Sequence, residues 1–142
     1  MERTPKFLRL RRSDHEAILI AAKARLPHEA CGLIAGEIQD DVPVIGKVYI
    51  LENQDHSSEH FSMDPKEQLD AVLDMRRNGM SPLGNWHSHP NTPARPSEED
   101  KRLAFDKNAI YMILSLAEED PVLHAFHIEG SEASKIEIEI ID

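Results

Sequence analysis

The sequence predicts an α/β fold in which a mixed or antiparallel sheet carries helices. Two observations lead there. Along the chain, β-branched apolar runs alternate with helix-like segments that begin at capping residues and end at proline or glycine. At the C-terminus, KIEIEII places Ile136, Ile138 and Ile140 on one face and Glu137 and Glu139 on the other, the pattern of a sheet with one wet face, which favours antiparallel or mixed pairing.

Taken in order, the basic start MERTPKFLRLRRSD reads as a first strand, since arginine interrupts its apolar residues and no signal-peptide core forms. Ser13-Asp14-His15-Glu16 has the spacing of a capping box, so a helix is expected over 14–25, stopped by Pro27. CGLIAG (31–36) and VPVIGKVYILEN (42–53) read as a hairpin across a polar turn at 37–41. Asp64-Pro65-Lys66-Glu67 opens a second helix over 65–78, closed by Asn78-Gly79 and expected to bury Leu69, Val72 and Leu73. LGNWHSH (83–89) forms a short strand, and a helix starts after Ser97. YMILSL, VLHAFHIE and the terminal alternation supply the remaining strands.

Length and charge exclude several functions. A chain of 142 residues suits one domain, here taken as residues 1–142. Its formal charge of −10 argues against nucleic acid, because phosphate binding rests on clustered Lys and Arg. No apolar run approaches the ~20 residues of a membrane helix, so a soluble protein is expected. The single cysteine, Cys31, permits no internal disulfide and fits a reducing, cytoplasmic setting as a buried, inert thiol.

The stretch GNWHSHPNTPARPSEED (84–100) carries the chemistry. On a strand, His87 and His89 share a face and Ser88 points the other way. Pro90, Pro93 and Pro96 then enforce an irregular excursion, after which Ser97 caps a helix whose first turn carries Asp100. The carboxylate can thereby return to the histidines. Two neutral imidazoles and one carboxylate form a three-ligand set suited to a catalytic zinc ion, leaving a fourth position for water. Two histidines on a strand are by themselves commonplace, and Ser97-Glu98-Glu99-Asp100 is also an ordinary helix start. The two uses of Ser97 are compatible, because a hydroxyl accepts a backbone N–H while donating its own proton.

His87-Ser88-His89-Pro90, followed by Ser97 and Asp100, resembles the signature of the JAMM (MPN-plus) metalloprotease family. Glu29-Ala30-Cys31-Gly32-Leu33 and FSMDP (61–65) resemble its small stand-alone prokaryotic members, so the likeness covers most of the chain. The resemblance implies a cytidine-deaminase-like α/β fold with a curved, mixed, largely antiparallel sheet flanked by helices. It also implies one Zn2+ per chain on His87, His89 and Asp100, with Glu29 as the catalytic carboxylate. Sequence logic alone does not select Glu29 from 26 acidic residues; Glu37 and Glu52 are equally eligible. His28-Glu29 also opens an HExxH-like string, but Gly32 stands where the second histidine would be. A zinc deaminase would need a PCxxC segment, which one cysteine excludes.

The implied activity is hydrolysis of a peptide or isopeptide bond after the C-terminal Gly-Gly of a ubiquitin-like or sulfur-carrier protein, with Ser97 donating to the developing oxyanion. The carrier's extended tail is expected to add to a sheet edge beside the metal. Only ten residues, 101–110, separate Asp100 from the next strand, which leaves little room for polyubiquitin-gripping insertions. A non-catalytic MPN-type binding module is the alternative, and the intact ligand set speaks against it. A DNA-repair-associated branch of the superfamily fits the acidic charge poorly. His56 and His60 are assigned to a loop, and His124 and His127 to opposite faces of a strand. The sequence leaves oligomeric state, pathway and carrier identity open.

Overall fold

The computed structural model describes residues 4–142. Its elements run β1 (Phe7–Arg11), α1 (Arg12–Ala24), β2 (Cys31–Gln39), β3 (Val42–Leu51), α2 (Pro65–Arg77), β4 (Ser81–His89), α3 (Glu98–Arg102), β5 (Ile110–Ser115), β6 (Val122–Glu129) and β7 (Glu132–Ile141). Every strand expected from the sequence is present. The N-terminal one holds for Phe7–Arg11, while Met1 to Arg3 lie outside the described residues.

All seven strands join in one ring ordered β1-β3-β2-β4-β5-β6-β7, with β7 pairing back to β1. The β3–β2, β2–β4, β5–β6 and β6–β7 junctions are antiparallel and β1–β3, β4–β5 and β7–β1 are parallel, so the sheet is mixed. Inside it, Leu8, Leu10, Ile34, Ile45, Trp86 and Met112 are buried together, joined by Ile18, Ala21 and Ala22 of α1. The β2–β3 hairpin turns at Asp40 and Asp41, both with positive φ, the backbone a two-residue hairpin turn needs to match strand twist.

One glycine is indispensable to this arrangement. The Trp86 indole donates to the Tyr49 carbonyl at 2.9 Å, crossing over Gly32 on the intervening strand β2. A Cβ at Gly32 would stand 1.7 Å from the Tyr49 oxygen. Trp86 is thereby seated in the core immediately before His87.

Two local expectations change. The first helix begins at Arg12 and not at a Ser13 cap, because β1 runs straight into α1 with Arg11 as N-cap lacking a side-chain cap bond. The Arg11 guanidinium instead holds Asp14 at 3.0 Å. In α2 the buried residues are Ala71 and Met75, with Val72 packed at the margin, while Leu69 and Leu73 are 56% and 39% exposed. Small Ala71 lets the helix sit close to Ala35 of β2, and that approach turns the two leucines outward. Met75→Ala is therefore expected to lower unfolding free energy by about 2–5 kcal/mol. Leu69→Ala should cost under about 1 kcal/mol, and paired denaturant titrations check the contrast. The histidine strand β4 is itself paired along one side by β2 and along the other by β5.

Candidate metal centre

β4 delivers the two histidines as strand parity requires. His87 and His89 face outward and are 3% and 4% exposed, whereas Ser88 points inward and is fully buried. Ser88 Oγ accepts the Ala30 N–H at 2.7 Å and the Ser88 N–H donates to the Ala30 carbonyl at 2.9 Å. The serine between the histidines thus fixes the residue after Glu29.

Beyond His89 the proline-rich excursion is braced from several directions. Ser115 Oγ donates to the Thr92 carbonyl at 2.6 Å, His89 Nδ1 meets the Pro93 carbonyl at 2.8 Å, and His124 Nδ1 meets the Ala94 carbonyl at 3.2 Å. Ser97 then caps α3: its Oγ accepts the Asp100 N–H at 3.0 Å and Asp100 Oδ2 accepts the Ser97 N–H at 2.9 Å, a reciprocal capping box. That box orients the Asp100 carboxylate.

Three ligand atoms converge as a result. Asp100 Oδ2 lies 3.2 Å from His87 Nε2 and 3.1 Å from His89 Nε2, and the two nitrogens are 3.1 Å apart. Protons alone cannot satisfy this triangle. If both imidazoles donate to the carboxylate, two N–H groups face each other; if one donates to the other, a carboxylate contact is lost. A shared cation resolves all three contacts at once. Tetrahedral bonds of the length seen for zinc to nitrogen and oxygen place ligand atoms about 3.3 Å apart, close to the spacing observed. The Pro93 carbonyl settles which His89 nitrogen is free: it accepts the proton carried on Nδ1, so Nε2 keeps its lone pair for a metal. His87 is held differently, its ring stacked on Phe61 at 4.6 Å and its Nδ1 buried without a hydrogen-bond partner. Among the described residues, His87, His89 and Asp100 are the group whose donors meet closely enough to hold an ion.

Electrostatics follow from burial and from this cluster. Burial opposes charge on Asp100, but bonds from His87 and His89 prevail and hold its carboxyl well below the usual carboxylate range. Burial pushes His87 down. In His89, burial is outweighed by Asp100 and the Pro93 carbonyl, and its pKa rises. Glu29 is 4% exposed, its N–H bound to the Ser57 carbonyl at 2.7 Å and its carbonyl accepting from Asn53 Nδ2 at 3.1 Å. Burial pushes its carboxyl up to about 8, partly offset by His89, so it can hold or release a proton near neutrality. Cys31 is buried and its thiol is pushed up to about 12, chiefly by burial, matching the inert role expected of it.

Several supporting residues were not legible beforehand. Asn53, 5% exposed, ties the loop after β3 to the site by also donating to the His60 carbonyl at 2.9 Å. His60 Nδ1 lies 2.6 Å from Glu99 Oε1, linking that loop to α3 and setting Phe61 over His87. A polar residue so deeply buried in a loop leaves no periodic signal. His127, near Thr4 Oγ1 at 3.3 Å, takes no part.

Comparisons with known proteins agree with this picture. A family model described as prokaryotic homologs of the JAB domain matches residues 11–129. The CysO-cysteine peptidase of Mycobacterium bovis is 32% identical over 108 residues, covering 76% of this chain and 71% of that protein. A solution structure of a Desulfitobacterium hafniense protein superimposes with a TM-score of 0.88 at 50% identity, covering 96% of this chain and 94% of the other. A JAB1/MPN domain protein from Archaeoglobus fulgidus superimposes with a TM-score of 0.62 at 25% identity, covering 96% and 99%.

Proposed function

Because this chain belongs to the prokaryotic homologs of the JAB domain, we propose that it is a zinc-dependent JAMM-type peptidase. Its bond is the one after the C-terminal Gly-Gly of a small sulfur-carrier or ubiquitin-like protein. The observation that carries this is the triangle of His87, His89 and Asp100, whose His89 and Asp100 act electrostatically on the buried carboxyl of Glu29. Relatives that bear names of activity include the CysO-cysteine peptidases and, over 51% of this chain, a desampylase of Pyrococcus furiosus at 32% identity. Extension of the carrier by a single cysteine is the substrate form favoured by the first of these. The proposal takes residues 1–142 as one cytidine-deaminase-like domain with one zinc ion, working in the cytoplasm. Among the described residues, no helix is long and apolar enough to cross a membrane.

His87, His89 and Asp100 would hold the ion through Nε2, Nε2 and Oδ2. When bound, zinc supplies Lewis acidity toward a carbonyl and toward a water. The remaining chemistry falls to side chains. Glu29 takes a proton from the attacking water and returns it to the leaving nitrogen, a role suited to a carboxyl poised near neutrality. Ser97 keeps its hydroxyl proton free, since the capping bond uses a lone pair of Oγ, and it donates to the oxyanion. Loss of such a donor typically costs about 3–4 kcal/mol of transition-state stabilisation.

Incubation with a carrier extended beyond Gly-Gly tests the proposal. Mass spectrometry should show one cut directly after Gly-Gly, abolished by a chelator and restored by zinc. A zinc-loaded protein inert toward a broad panel of such carriers would instead be a binding module of MPN type.

A further inference from the structure

Glu29 also forms part of the wall of a second cavity. Arg25, His28, Glu29, Glu52, Asn53 and His56 enclose a cleft of about 310 Å3, within the size range of small-ligand sites. It lies between the segment joining α1 to β2 and the loop after β3. Arg25 is exposed and takes part in none of the ion pairs among the described residues. His28 and His56 meet edge to face with centroids 5.8 Å apart, and both line the cleft. His56 holds a positive φ of 46°, a conformation uncommon for a residue with a side chain, and its Nε2 lies 3.8 Å from Glu52 Oε1. Asn53 braces the start of that loop by accepting the Asp55 N–H at 3.0 Å.

We propose that this cleft receives the leaving group of the reaction, a single amino acid whose α-carboxylate is held by Arg25 with N–H donors from His28 and His56. The proposal rests on the peptidase function above. Hydrolysis breaks the amide C–N bond; the oxygen of water goes to the carrier's new carboxylate and a proton goes to the leaving nitrogen. Glu29 lines the cleft and its carboxyl feels the charges of His89 and Asp100, so in this proposal it is the group that passes the proton to the leaving nitrogen. Glu52 is placed to meet the α-ammonium of the product. A carboxylate one carbon from the scissile nitrogen exists only when the carrier is extended by one residue. A lysine joined by an isopeptide bond has a methylene there. The cleft therefore selects one-residue extensions over isopeptide conjugates.

The experiment uses zinc-loaded full-length protein and a carrier ending in Gly-Gly-Cys, prepared as the free acid and as the C-terminal carboxamide. The parent should favour the free acid by about 10- to 100-fold in kcat/KM, mostly through KM, the range for a hydrogen bond to a charged group. Arg25→Gln should bring that ratio close to one, and Arg25→Lys should restore part of it. Equal rates on acid and carboxamide in the parent, both abolished by a chelator, would overturn the subsite while leaving the peptidase standing. Cleavage of neither form, with zinc verified in the protein, would remove both. A ratio unchanged in Arg25→Gln would also sink the assignment.

Discussion

Glu29→Gln is expected to retain its metal and lose about 10²- to 10⁴-fold in turnover, the usual contribution of a general acid–base group. Glutamine keeps the shape of a side chain that is 4% exposed and leaves the backbone bonds to Ser57 and Asn53 in place, so the fold should hold. Zinc content by elemental analysis and cleavage rate, measured on the same preparation, separate the roles. Full activity would reassign the base; loss of zinc would make Glu29 a ligand or a support for one. A second readout follows from its buried carboxyl, raised from 4.5 to about 8. Between those values the folded, metal-free chain holds a proton that the unfolded chain has released. Unfolding free energy in the absence of metal therefore falls as pH rises through that window. In Glu29→Gln this contribution to the slope should vanish, as denaturant titrations across the window would reveal.

The double substitution His87→Ala, His89→Ala should abolish both metal binding and hydrolysis. Zinc at a hundred times its dissociation constant stabilises a folded protein that binds it by about 2.7 kcal/mol, so added zinc should raise the melting temperature of the parent and leave the double variant unmoved. Retained stoichiometric zinc in the variant would place the metal elsewhere. Asp100→Asn should behave in an intermediate way, because an amide is a poorer ligand than a carboxylate. Its capping bond to the Ser97 N–H can persist through the amide oxygen, and activity should partly return in excess zinc.

What the sequence determined by itself was local. Strand parity put His87 and His89 on one face and Ser88 on the other, and the spacing of Ser97 and Asp100 encoded a capping box that the structure contains. Hairpin, helix and strand identities followed from periodicity and turn residues within a few positions of one another. Tertiary structure decided what depends on neighbours distant in sequence. The Ser13 cap gave way because β1 feeds directly into α1, and the α2 leucines faced outward because Ala71 allows the helix to approach β2. Convergence of Asp100 with two histidines required a loop braced by Ser115 and His124, while Glu29 is held by Ser57 and Asn53 and flanked by the Ser88–Ala30 bonds. Periodicity records which face a residue shares with its near neighbours. It carries no information about which distant segment will supply the opposing hydrogen bond, and that pairing sets the position of the buried Glu29.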